Sequence, residues 1–150
     1  MKQHNNILIP RRIEGRKERY KHIIYRQIQQ YIKNGCKGKL ILNQTTIDYL
    51  PDNLIYVGGD LDLIQSMIQS IGNLEFVDGD LDLDFTQIQS LGNLKRVNGF
   101  LGLDHTPIKS FGKLKIVEGN LWIRNTPLAK KYTEKEIRQM VEVNKSVFML

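Results

Sequence analysis

Aspartates in the middle of this chain recur at a spacing of twenty residues: Asp60 and Asp80, Asp62 and Asp82, Asp84 and Asp104. The same steps continued reach Phe100 and Asn120, Gly102 and Trp122, and Arg124, with Ile64 preceding Asp84 in the third series. If the chain is laid down in laps of that length, these side chains form columns. Like charges about 5 Å apart repel by about 1 kcal/mol even in water. Three readings account for stacked carboxylates. They keep a flat sheet soluble and unpaired, they face the basic surface of a protein partner, or they hold a cation. The pair Phe100 and Trp122 beside Arg124 has the composition of an interface hot spot. The alternative is that neighbouring side chains or the C-terminal segment partly cover both rings. Asp80, Asp82, Asp84, Phe100, Asp104, Trp122 and Arg124 are the candidate protein-binding residues.

A second cluster is basic. Arg11, Arg12, Arg16, Lys17, Arg19, Lys21 and Arg26 lie close together, with Tyr20 and Tyr25 interleaved. Such a segment can contact phosphates without regard to base sequence and with strong salt dependence. The ordinary alternative is the solvated face of a helix. The net charge of +6 divides unevenly along the chain. Residues 1–39 carry 11 Lys/Arg against two acids, residues 40–128 carry 6 against 11, and residues 129–150 carry 5 against 3. A basic head therefore sits on an acidic body.

Catalysis finds little to work with. His4, His22 and His105 are scattered, and none has triad or metal-ligand spacing to Cys36. The glycines are spent on the repeat rather than on a phosphate loop. Cys36 is the sole cysteine, which excludes an intrachain disulfide and a thiolate metal cluster. Between Gly35 and Lys37 it is either a mildly activated thiol or a small residue buried at a junction. No catalytic residue, cofactor, metal or small-molecule substrate is expected. No stretch approaches the roughly 18 apolar residues of a spanning helix, so no membrane contact is expected either.

The columns need a scaffold, and the chain supplies one as an internal repeat. The same phrase begins at Gly59, Gly79, Gly99 and Gly119. Its apolar positions are Leu61/Leu81/Leu101/Leu121, Leu63/Leu83/Leu103/Ile123, Ile68/Ile88/Ile108/Leu128, Ile71/Leu91/Phe111, Leu74/Leu94/Leu114 and Val77/Val97/Val117. Gly38 to Gly58 is a degenerate earlier copy, lengthened by one residue at Pro51-Asp52-Asn53. Leu-x-Leu alternation places two side chains on one face of a short strand. Gly72-Asn73, Gly92-Asn93 and Gly112-Lys113 turn the chain back. Each lap is then one coil whose apolar side chains point inward, and no coil buries its core alone.

Leu81-x-Leu83-x-x-Thr86-x-Ile88 resembles the Leu-x-Leu-x-x-Asn-x-Leu heart of leucine-rich repeats. The short period and Leu50-Pro51-Asp52-Asn53-Leu54 resemble the short repeats of bacterial and phage proteins. The resemblance spans residues 38–128 and implies that the strand face is the ligand surface. Two departures stand out. Ser66, Thr86, Thr106 and Thr126 occupy the asparagine position, which puts an asparagine ladder in doubt. Val77 sits one position further upstream than the family pattern, which leaves both a straight solenoid and a horseshoe open. Gly58-Gly59-Asp60 resembles calcium-binding nonapeptide repeats only weakly, because the period is twenty rather than nine.

Open coil ends would expose about six apolar side chains each, on the order of 10 kcal/mol, so caps are expected. Tyr20, Ile24, Ile28, Tyr31 and Ile32 form one helical stripe, with Gly35 as a stop. Thr133-Glu134-Lys135-Glu136 has capping-box spacing ahead of Ile137, Met140, Val141 and Val143. The expected organisation is an extended N-terminal arm (1–13), a basic capping helix (14–37), a solenoid of four to five coils (38–128), and a C-terminal capping helix and tail (129–150). The fold class is an α+β repeat protein, a leucine-rich-repeat-like parallel β-solenoid. The expected function is non-enzymatic: protein–protein interaction or assembly through the strand face, as a structural subunit of a larger particle or an inhibitor of a host protein. Nucleic-acid binding by the basic head is the alternative. The expected setting is the cytoplasm of a bacterium or infected cell, or else a virion.

Overall fold

A computed structural model describes residues 12–150, with side chains from residue 19 onward. Helix α1 (Arg12–Lys33) leads into nine two-residue strands. These are β1 (Leu40–Ile41), β2 (Tyr56–Val57), β3 (Leu61–Asp62), β4 (Phe76–Val77), β5 (Leu81–Asp82), β6 (Arg96–Val97), β7 (Leu101–Gly102), β8 (Ile116–Val117) and β9 (Leu121–Trp122). Two short helices follow, α2 (Pro127–Lys131) and α3 (Glu134–Met140), and then β10 (Glu142–Val143) and β11 (Val147–Phe148). The chain is a parallel β-solenoid of 20-residue coils flanked by helices. Among the described residues no helix is long and apolar enough to cross a membrane.

Two parallel sheets run the length of the solenoid. One has six strands in the order β1-β3-β5-β7-β9-β11, and the other has five in the order β10-β8-β6-β4-β2. Register is set by the repeat, so Leu61 pairs with Leu81, Leu81 with Leu101, and Leu101 with Leu121. The leucines of the Leu-x-Leu strands are fully buried, as are the valines of the second sheet. That second sheet is an addition to the sequence reading, which treated Val57, Val77, Val97 and Val117 only as core positions. Hydrogen-bonded ladders on two sides impose the same coil-to-coil rise of about 4.8 Å on both. This removes the difference in rise that bends a horseshoe, so the ladders favour the straight form.

The sheets meet at a glycine corner, where each coil passes directly over the one before. A Cβ on Gly99 would lie 2.0 Å from Asp80 Oδ1 and 2.8 Å from the Asp80 nitrogen. No side chain fits there. On the third side, Ser70, Ser90 and Ser110 accept hydrogen bonds from the nitrogens of Gly72, Gly92 and Gly112 at 3.0, 3.1 and 2.9 Å. Thr86, Thr106 and Thr126 donate to the carbonyls of Leu83, Leu103 and Ile123 at 2.7, 2.8 and 2.6 Å. The hydroxyls brace the turn inside one coil, so the asparagine-position residues build no ladder between coils.

The ends are closed differently. Helix α1 buries Ile24 and Ile28, with Tyr31 and Ile32 packed partly against the same core. Tyr20 was expected on that stripe and is 60% exposed, so cover of the first coil stops short of it. The helix ends in paired hydrogen bonds, Gly35 nitrogen to Ile32 oxygen and Cys36 nitrogen to Tyr31 oxygen, with Gly35 at φ 89° as a left-handed helix stop requires. Of the expected arm, residues 1–11 lie outside the described residues and 12–13 belong to α1. At the far end, the Thr133–Glu136 capping box is present. The helix stripe, however, is cut short. Helix α3 stops at Met140, which is exposed, while Val141 is extended and Val143 lies in β10. The β-branched run Val141-Glu142-Val143 favours a strand, and it pairs with β8 while β11 pairs with β9.

Replacing Gly99 with Ala drives a methyl group into the backbone of the preceding coil. The expected outcome is a loss of about 3 kcal/mol in unfolding free energy, read by urea denaturation. A loss under about 1 kcal/mol, within the range of an ordinary surface substitution, contradicts this corner geometry.

Candidate functional site

The six-stranded sheet presents its outward side chains as the expected columns, and their hydrogen bonds explain why aspartate recurs. Asp60 Oδ1 accepts from the Asp80 nitrogen and Asp80 Oδ1 from the Phe100 nitrogen, each at 2.8 Å. Asp84 Oδ1 accepts from the Asp104 nitrogen at 2.8 Å, and Asp104 Oδ1 from the Arg124 nitrogen at 2.7 Å. Asp62 and Asp82 instead serve their own coil, accepting from the Ile64 and Asp84 nitrogens at 3.0 Å. These are charge-assisted bonds to backbone donors that the strand ladder leaves over. One oxygen of Asp60, Asp80, Asp84 and Asp104 is thus committed to joining neighbouring coils, and one of Asp62 and Asp82 to bracing its own.

The remaining oxygens surround a cleft of about 360 Å³ lined by Asp82, Asp84, Phe100, Gly102, Asp104, Asn120, Trp122 and Arg124. Six of the seven candidate protein-binding residues converge there. Asp80 does not line it and is engaged at the corner. The floor is Gly102, where a Cβ would come within 2.8 Å of Asp84 Oδ1 and 3.0 Å of Asp82 Oδ1. Absence of a side chain at this one step of the column lets the Asp82 and Asp84 carboxylates close in over it.

At one wall, Asp104 is only 2% exposed and binds the Arg124 guanidinium through Nε at 2.8 Å and through Nη2. The same guanidinium lies 4.9 Å from the centre of the Trp122 ring, within cation–π range. Trp122 in turn stacks on Phe148, with centroids 3.9 Å apart and planes 14° from parallel. The C-terminal segment therefore partly covers Trp122, in line with the alternative reading of that ring. Phe148 was not foreseen, although Val147-Phe148 repeats the apolar–aromatic wording of Leu121-Trp122. Phe85 was also missed. It is exposed, stacks on His105 at 4.5 Å, and stands at φ 59°, in a left-handed column shared with Gln44, Gln65, His105 and Asn125.

At the opposite wall Asp82 and Asp84 form no ion pair among the described residues. Burial raises the Asp82 carboxyl above its ordinary range, assisted by Asp62, Asp104 and Asp80. Burial, with Asp82 beside it, lifts Asp84 to about 6, and Arg124 only partly offsets this. The cation in the cleft is already held by Asp104. Among the described residues, no group of three His, Cys, Asp or Glu side chains could hold a metal ion.

Arg11 lies outside the described residues, and of Arg12, Arg16 and Lys17 only the helical backbone is described. Lys21 pairs with Asp48 at 3.2 Å, tying α1 to the first coil. Arg19 and Arg26 are exposed. Burial pushes the half-buried Cys36 thiol up, which opposes thiolate formation.

Comparison with known proteins finds no matching family model, no matching curated protein and no matching solved structure.

An aspartate whose pKa is about 6 in the folded chain and 3.8 otherwise binds its proton more tightly when folded. Its contribution favours folding below pH 3.8 and is lost as pH rises toward 6. Asp84→Asn keeps the Oδ1 acceptor and removes the charge. It is expected to stabilise the chain at pH 7.5 by about 1 kcal/mol after allowance for solvent screening, and by less at pH 4.5. Thermal unfolding at the two pH values reads the difference, and an equal effect at both contradicts the account.

Proposed function

We propose that this protein is a non-enzymatic interaction or assembly module of bacterial or phage type that docks a protein partner on the strand face around the Gly102 cleft. The observation that carries the reading is the cleft itself. Among the described residues Asp82 and Asp84 form no ion pair there, beside Phe100 and the Trp122–Arg124 stack. Aromatic side chains next to partly desolvated charges in a concavity are the usual composition of an interface hot spot. Both an inhibitor of a host protein and a subunit of a larger particle fit a small rigid solenoid with one presented face, working in the cytoplasm or in a virion.

The second reading, contact with nucleic-acid phosphates through the basic head, is supported by the exposure of Arg19 and Arg26. It is weakened by Lys21, whose charge is engaged with Asp48.

Capture from source-cell lysate, with nuclease-treated controls, separates the two. Wild type is expected to retain a protein through nuclease treatment, and Phe100→Ala/Trp122→Ala, checked for native circular dichroism, is expected to lose it. Nucleic acid recovered instead, released by raised salt and retained equally by the double variant, overturns the strand-face reading.

A further inference from the structure

The repeat supplies its own comparison for what an aspartate in the third column accepts. Asp104 is neutralised by a residue twenty positions on, Arg124, whose guanidinium also lies over an aromatic ring. Asp84 occupies the equivalent place one coil earlier, and the residue twenty positions after it is Asp104, another acid. Asp84 receives the same backbone hydrogen bond but no guanidinium. Among the described residues, Oδ2 of Asp82 and Oδ2 of Asp84 meet no hydrogen-bond or ion-pair partner. Phe100 lines the cleft beside them, and both carboxylates fold in over Gly102, where a Cβ would meet Asp84 Oδ1 at 2.8 Å and Asp82 Oδ1 at 3.0 Å.

From this geometry we infer that the cleft receives an arginine side chain of the docked protein, its guanidinium bridging the Oδ2 atoms of Asp82 and Asp84 and its stem lying against Phe100. This deepens the docking reading above and rests on it. Charge complementarity selects a cation, since the acids of the cleft outnumber its one cation, Arg124, and that cation is taken. A volume of about 360 Å³ with two free carboxylate oxygens is too large and too sparsely liganded for a bare ion. Among organic cations, a guanidinium is planar, forks across two acceptors and stacks on aromatic faces. It is also less hydrated than an ammonium group, which suits carboxylates already half removed from water.

The experiment is an NMR titration of the full-length, isotope-labelled chain with three probes: arginine amide, lysine amide and the neutral isostere citrulline amide. Arginine amide is expected to shift the amide signals of Gly102, Asp104 and Phe100. Lysine amide is expected to bind at least about tenfold more weakly, the equivalent of one charge-assisted hydrogen bond, and citrulline amide not at all. Asp82→Asn/Asp84→Asn retains both Oδ1 acceptors, so the signals of the remaining coils stay in place while the arginine shifts vanish. Equal response to lysine or citrulline, no response to arginine, or shifts that persist in the double variant each overturn the inference. If the arginine response is missing while lysate capture still depends on Phe100 and Trp122, the docking surface stands and its arginine occupant does not. If arginine binds while no partner is captured, the docking reading itself fails.

Discussion

Every coil of this solenoid buries its apolar side chains against the coils on either side, and two parallel backbone ladders hold the coils in register. Everything else depends on that stacking. It aligns leucine over leucine in the interior, and by the same geometry it aligns like over like outside. A repeat that places aspartate on its outer face must stack carboxylates, whatever the cost. The fold offsets much of that cost by giving one oxygen of each aspartate a backbone N–H to accept. These aspartates are thus structural and electrostatic at once. Through one oxygen they join coils or brace their own, and except at Asp104, whose second oxygen meets Arg124, the other leaves a negative potential.

The cleft is what happens where that pattern changes over. Toward the N-terminus the face is acidic, and toward the C-terminus it carries Phe100, Trp122 and Arg124. At the boundary a single glycine, Gly102, replaces the column's side chain. Arg124 forms its ion pair with Asp104 and only partly offsets Asp84. The C-terminal strands matter here as well as at the cap, because β11 brings Phe148 onto Trp122 and fixes the ring that supports Arg124. Closure of the last coil and order in the cleft wall are one construction.

Much of this was legible in the residues. The twenty-residue period, the inward positions and the columns all follow from one recurring phrase, since a parallel stack turns sequence spacing directly into spatial adjacency. Six of the seven residues singled out on the strand face line the cleft for that reason. What escaped the reading lacked a local signature of its own. A two-residue strand with one buried valine has no alternation to mark it, which hid the second sheet. The left-handed column passes through Gln44, Gln65, Phe85, His105 and Asn125, so no single residue type announces it. Val141 and Val143 fit a helical stripe by spacing alone, and pairing of Glu142–Val143 with β8 outweighed that local signal. The backbone acceptor role of the aspartates depends on which donors the ladder leaves unpaired, a fact of three-dimensional register rather than of composition.

The central claim is that the strand face, and not the basic helix, meets the partner. Hydroxyl-radical footprinting of aromatic side chains in the free chain and in the captured complex addresses it most directly, because it reads each ring's exposure to water. The account predicts that Phe100 and Trp122 lose reactivity on complex formation while Tyr20 on α1 and Phe76 on the five-stranded sheet keep theirs. Protection of Tyr20 with Phe100 and Trp122 unchanged would contradict it.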